Sequence, residues 1–193
     1  MNLCSIQKLT LIFAPAILLS LAFGEPQKVI SPQEYKKQID AYTYAHIDSF
    51  RYFAMTKTSA KPFRVMSKRW PENMIKSYSV LANKAGKIIF AMVEQDGEWG
   101  DYAITYRYYF DEEGKTKSFQ KGNHFYHSVC VNNDAIDEKR IYYYDTSFKR
   151  INEEYSLISG DGKVLDSMRC DFPYNLPFKI YRSWKELKQA ENL

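Results

Sequence analysis

No proline interrupts the chain between Pro71 and Pro173, and seven of its eight glycines fall between Gly86 and Gly162. Proline removes a ladder donor and glycine supplies positive φ, so a proline-free stretch punctuated by glycine is what consecutive antiparallel strands require. Three punctuation points share one pattern: Asn83 to Gly86, Asp111 to Gly114 and Ser159 to Gly162. Each places a side chain able to fold back on the backbone three residues before a glycine, then a lysine. This is the composition of a type I turn closed by a glycine in the left-handed region. The segment Tyr142 to Lys149 echoes Tyr108 to Lys115, with Phe148 in place of the glycine.

Between the turns the residues alternate. Tyr102, Ile104, Tyr106, Tyr108 and Phe110 share one face of an extended segment, and Ala103, Thr105, Arg107 and Tyr109 share the other. Ile88 to Val93 is apolar on both faces and belongs near the centre of a sheet. The stretch Glu72 to Leu81 suits either a helix or a strand pairing across Gly86. Asn132 to Glu138 reads as a polar loop.

Helical signals flank this region. Ser31-Pro32-Gln33-Glu34 is a capping box with proline at the first helical position. Tyr35, Ile39, Tyr42, His46, Phe50 and Phe53 follow at helical spacing, which predicts one amphipathic helix from about Pro32 to Ala54. Ser183-Trp184-Lys185-Glu186 opens a second, short helix. The expectation is an α+β domain: an N-terminal amphipathic helix packed on a curved antiparallel meander of about six or seven strands, with a short C-terminal helix.

Ahead of this lies an address. Met1 to Lys8 is polar, Leu9 to Phe23 is uncharged and apolar, and Ala22-Phe23-Gly24 precedes Glu25 and Pro26. That is the layout of a cleaved secretory signal peptide over residues 1–24. Fifteen residues at ~1.5 Å rise do not cross a ~30 Å hydrocarbon core. Cys4 lies before the apolar run, away from the cleavage point, which argues against a lipid anchor. Residues 25–193 are then a single exported domain, periplasmic or extracellular, with no second apolar span. Loss of Lys8 lowers the formal net charge from +4 to +3. Cys130 and Cys170 remain, and in an oxidising compartment they read as one disulfide. Closing this loop contributes about 4 kcal/mol in the chain-entropy model.

The charges are interspersed, with no basic block interleaved with aromatics, so nucleic acid is not an expected partner. There is no Gly-x-Ser-x-Gly, no phosphate-binding glycine loop, no dinucleotide fingerprint and no His-Glu-x-x-His, and no cofactor is expected. His124 and His127 form the nearest approach to a metal pair, but on a strand their spacing points them to opposite faces. The acidic run Asp96 to Asp101 reads as a hairpin turn. Trp99, between Gly97 and Gly100, is either a binding anchor or a lid on the core. Nine of the sixteen tyrosines lie between Tyr102 and Tyr155, where they suit a sheet surface with wet hydroxyls.

Three functional expectations follow. The first is an exported binding or interaction domain for a small molecule or protein. It would use an aromatic sheet face or a helix–sheet pocket, with Trp99, Tyr106, Arg107, Tyr108 and Tyr109 as candidate ligand contacts. The second is an exported hydrolase, with or without the assistance of a metal, using His124 or His127 with nearby acids such as Asp111 or Glu113. The third is a structural envelope protein without a small ligand.

Overall fold

The computed structural model describes residues 30–66, 69–97, 100–126, 130–131, 134–168, 170 and 176–193. The expected leader, Trp99 and His127 lie outside these residues.

The turns form as their residues dictate. The Gly86, Gly114 and Gly162 amides donate to Asn83, Asp111 and Ser159 carbonyls at 2.8–2.9 Å, and the three glycines hold φ of +76° to +84°. The echo segment makes a fourth such turn, with the Phe148 amide on the Asp145 carbonyl at 3.1 Å. The Asp145 carboxylate also accepts from the Ser147 and Lys149 amides, both at 2.9 Å.

These turns help to link eight antiparallel strands: β1 (Arg51–Thr56), β2 (Phe63–Val65), β3 (Met74–Ala82), β4 (Ile88–Asp96), β5 (Tyr102–Phe110), β6 (Thr116–Tyr126), β7 (Ala135–Tyr144) and β8 (Arg150–Ser159). They form one sheet in the order β2-β1-β3-β4-β5-β6-β7-β8. From β3 onward this is an up-and-down meander, whereas β1 and β2 form a hairpin whose inner strand, β1, joins β3.

Among the described residues two α-helices accompany the sheet, α1 (Pro32–Ala45) and α2 (Trp184–Ala190). Ser31 Oγ accepts from the Glu34 amide at 3.1 Å, and Ser183 Oγ from the Glu186 amide at 3.3 Å. The expected first helix is too long by nine residues. His46 caps it, a short 3₁₀ turn follows at Ile47–Ser49, and Arg51–Thr56 becomes β1. Phe50 and Phe53 fit helical spacing, but Arg51 to Thr56 pairs on both sides with β2 and β3, which supplies its backbone bonds. The ambiguous stretch before Gly86 is strand β3. The expected loop at Asn132 to Glu138 gives way to β7 from Ala135, because Ile136 is fully buried between Phe125 and Leu157.

The sheet has two unlike faces. On the back face Tyr78, Val80, Ala91, Val93, Tyr108, Phe110, Phe119 and Tyr142 form the main core, closed by Leu187 of α2. Leu187 is 1% exposed, and burying it fully contributes about 1.5–3 kcal/mol. The chain leading into α2 stacks Phe178 on Tyr106 and Phe119, at 5.6 and 5.9 Å between centroids. The Cys130–Cys170 disulfide, Cα to Cα 5.4 Å, closes over a neighbouring cluster of Phe125, Ile136 and Leu157. Among the described residues no helix is long and apolar enough to cross a membrane.

Candidate functional site

On the front face, side chains fall into rows that run across the strands. The first row, Leu81, Phe90, Tyr109, Ser118 and Tyr143, follows from the pairing register. α1 lies at this level, packing Ile39 against Leu81, Phe90 and Tyr109. Its Lys36 Nζ sits 4.8 Å from the centroid of the Tyr109 ring and 2.7 Å from Asp40 Oδ2. The Tyr109 hydroxyl donates to Asp40 Oδ1 at 2.9 Å.

Beyond α1 the floor changes character. The second row reads Tyr52, Ser79, Met92, Arg107, Gln120. The third reads Ala54, Ser77, Glu94, Thr105, Gly122, Lys139. The fourth holds Ala103, His124 and Asp137. Small side chains at Ser77, Ser79, Ala103, Thr105 and Gly122 leave a hollow of about 1140 Å³ between this floor and α1. Gly122 is set by close approach, since a Cβ there would lie 2.7 Å from Thr105 Oγ1. Phe50, Tyr52 and Trp70 form an aromatic end, with Tyr52 and Trp70 edge-to-face at 5.7 Å.

The electrostatics of the hollow divide into engaged and open groups. Lys36 and Asp40 are paired, and His124 Nδ1 meets Asp137 Oδ1 at 2.8 Å at the other end. Arg107 Nε is buried and has no hydrogen-bond partner among the described residues. Burial pushes the Glu94 carboxyl above its ordinary range, Asp96 adds to this, and the Arg107 charge opposes it.

The candidate residues read from the sequence separate here. Arg107 lines the hollow. Tyr109 is on the same face but fully buried beneath α1, and Tyr108 is 2% exposed on the back face. Tyr106, also on the back face, borders with Tyr108 a smaller cavity of about 480 Å³ under Phe178. His124 lines the hollow, with Asp137 as its partner, whereas Asp111 and Glu113 sit in the β5–β6 turn. Counted along β6, that turn is eight or more residues from His124, roughly 26 Å at strand rise. The Asp111 carboxylate is already committed, accepting from the Glu113 and Lys115 amides at 3.1 and 2.8 Å. No group of three or more histidine, cysteine or acidic side chains suited to a metal occurs among the described residues. Met92, Glu94, Thr105, Gly122 and Trp70 were not singled out by sequence. The first four share a face with Arg107, and alternation from Arg107 combined with the register identifies them.

The hollow brings together hydroxyls, an amide, a guanidinium with an unpartnered Nε, a partly buried acid and an aromatic end. No family model, no curated protein and no solved structure matches this chain.

Proposed function

We propose that residues 25–193 form an exported α+β binding domain, released from a cleaved leader into the periplasm or the medium, whose ligand occupies the hollow between α1 and the front face of the sheet. One observation carries this reading: the hollow of about 1140 Å³, floored by small side chains where large ones would fill the space. Sites for small ligands are concave, with a few placed polar groups among apolar ones. The back face supports the same assignment by contrast, because its tyrosines are consumed by packing under α2 and the preceding chain. A disulfide suits a domain working outside the reducing cytosol.

Native mass spectrometry of the protein recovered from its own compartment tests the reading. The wild type is expected to carry a non-covalent small-molecule adduct, and Thr105→Trp, which fills the hollow, is expected to lose it while keeping its far-UV circular dichroism. A wild type that flies only at its bare mass contradicts the proposal.

A further inference from the structure

Two groups on the floor of the hollow are only partly satisfied by the fold: Arg107, whose guanidinium also donates to the Tyr109 hydroxyl, and Glu94. Arg107 presents a buried Nε with no partner among the described residues. Leaving such a donor unmade costs about 1–3 kcal/mol, and more when the group is charged. Glu94 lies on the adjacent strand, diagonal to Arg107 across the Met92–Arg107 and Glu94–Thr105 pairs. Diagonal neighbours sit ~7–8 Å apart. The two charges feel one another, yet burial outweighs that attraction at Glu94. A partly dehydrated charge is costly unless an opposite charge and hydrogen bonds meet it.

Asp96, two residues along the same strand, adds its negative charge at Glu94, and the other charges near this point are engaged or distant. Asp40 holds Lys36 and the Tyr109 hydroxyl, and His124 holds Asp137. Lys139 is three strands from Glu94 in its row, ~14 Å at ordinary strand spacing. A ligand that is only an anion would satisfy Arg107 and be repelled by Glu94. A ligand that is only a cation would meet the reverse. Both are satisfied by a molecule carrying adjacent opposite charges.

Resting on the ligand reading above, we propose that the hollow takes a small zwitterion of the amino-acid class. Its carboxylate meets the Arg107 guanidinium, its ammonium meets Glu94, and its apolar side chain lies over Met92 toward Phe50 and Tyr52. A carboxylate and a guanidinium pair through two parallel N–H···O bonds, and a turn of the Arg107 side chain toward the hollow brings its buried, unpartnered Nε to the ligand as one of the two donors. Ser79 and Gln120 flank Met92 and Arg107 in their row, and Ser77 and Thr105 flank Glu94 in the next, so neutral donors and acceptors surround the charged end.

Four probes that share one phenyl ring test this: L-phenylalanine, 3-phenylpropionate, 2-phenylethylamine and 3-phenyl-1-propanol, each titrated into the purified chain and followed by ¹H–¹⁵N NMR. L-Phenylalanine is expected to bind at least tenfold more tightly than the other three and to move the Arg107 Nε–H resonance. Arg107→Gln should erase its advantage over 2-phenylethylamine, and Glu94→Gln its advantage over 3-phenylpropionate. The wild-type panel decides the matter even where a variant fails to fold. Equal binding of the alcohol, or tighter binding of either singly charged probe, overturns the zwitterion while leaving the hollow a ligand site. If none of the four moves any resonance of the hollow, the zwitterion proposal falls, and the adduct measurement alone decides the ligand reading.

Discussion

Phe148 holds φ at +65° in a turn whose three counterparts carry glycine. A side chain in the left-handed region costs roughly 1–2 kcal/mol, which glycine avoids. Packing offsets that cost. The Phe148 ring stacks on Tyr144 at 4.4 Å between centroids and lies 5.7 Å from the Arg182 guanidinium. Two substitutions separate backbone from side chain. Phe148→Ala and Phe148→Gly lose the same stack, but only the glycine relieves the backbone. Urea unfolding is expected to show the glycine variant more stable than the alanine variant by about 1 kcal/mol; equal stability or the reverse order would mean the turn is not strained. This turn was legible in the sequence as a repeat of Tyr108 to Lys115. The fate of the missing glycine was not, because the compensating contacts come from Tyr144 and from Arg182, 34 positions along the chain.

At the level of elements, tyrosine hydroxyls pin both helical segments to the sheet. Tyr35 of α1 donates to the Phe110 carbonyl at 2.6 Å, and Tyr109 donates to Asp40 of α1. Tyr78 donates to Glu191, just past α2, at 2.8 Å, and Tyr108 to the Lys179 carbonyl at 2.9 Å. Burial pushes Tyr35 up to about 12 from an ordinary value of 10.0, with Asp111 adding to the shift. Burial likewise raises Tyr78, Tyr108 and Tyr109. The folded state favours the protonated phenol, so this stabilisation is complete below pH 10 and is lost as the pH climbs through the folded values. Each such group contributes up to about 1.4 kcal/mol per pH unit in that window. Unfolding free energy measured by urea should therefore hold steady from pH 7 to 9 and fall steeply above 10. Stability unchanged at pH 11.5 would show that these hydroxyls do not hold the helices. The sequence placed Tyr35 on a helix and Tyr108 and Tyr109 on a strand, but the acceptors of these hydroxyls and of Tyr78 lie 69 to 113 positions away, beyond the reach of any local pattern. The overlong first helix has a related cause. Phe50 and Phe53 continue the helical spacing, yet they pack on opposite faces of the sheet, and the strands that impose this are formed by residues further along.

Across the whole molecule, the two faces of the sheet divide the labour. The back face carries most of the large aromatics and is closed by the chain's C-terminal segment, while the front face carries small and polar residues and is only partly covered by α1. The alternation through Tyr102 to Phe110 made this division legible, since it set Arg107 and Tyr109 against Tyr106 and Tyr108. It did not reveal which face is open, because that depends on where α1 and α2 dock. Nor did it reveal the hollow, which arises from small residues on β3, β5 and β6, each unremarkable in its own segment. The central claim is that this hollow is occupied in the working protein. A crystal structure of the chain purified without refolding from its own compartment tests that claim most directly. The account predicts density for a small organic molecule within hydrogen-bonding distance of Arg107 Nε, bounded by Met92 and α1. A hollow holding only solvent, with the Arg107 guanidinium turned onto Glu94, would contradict it.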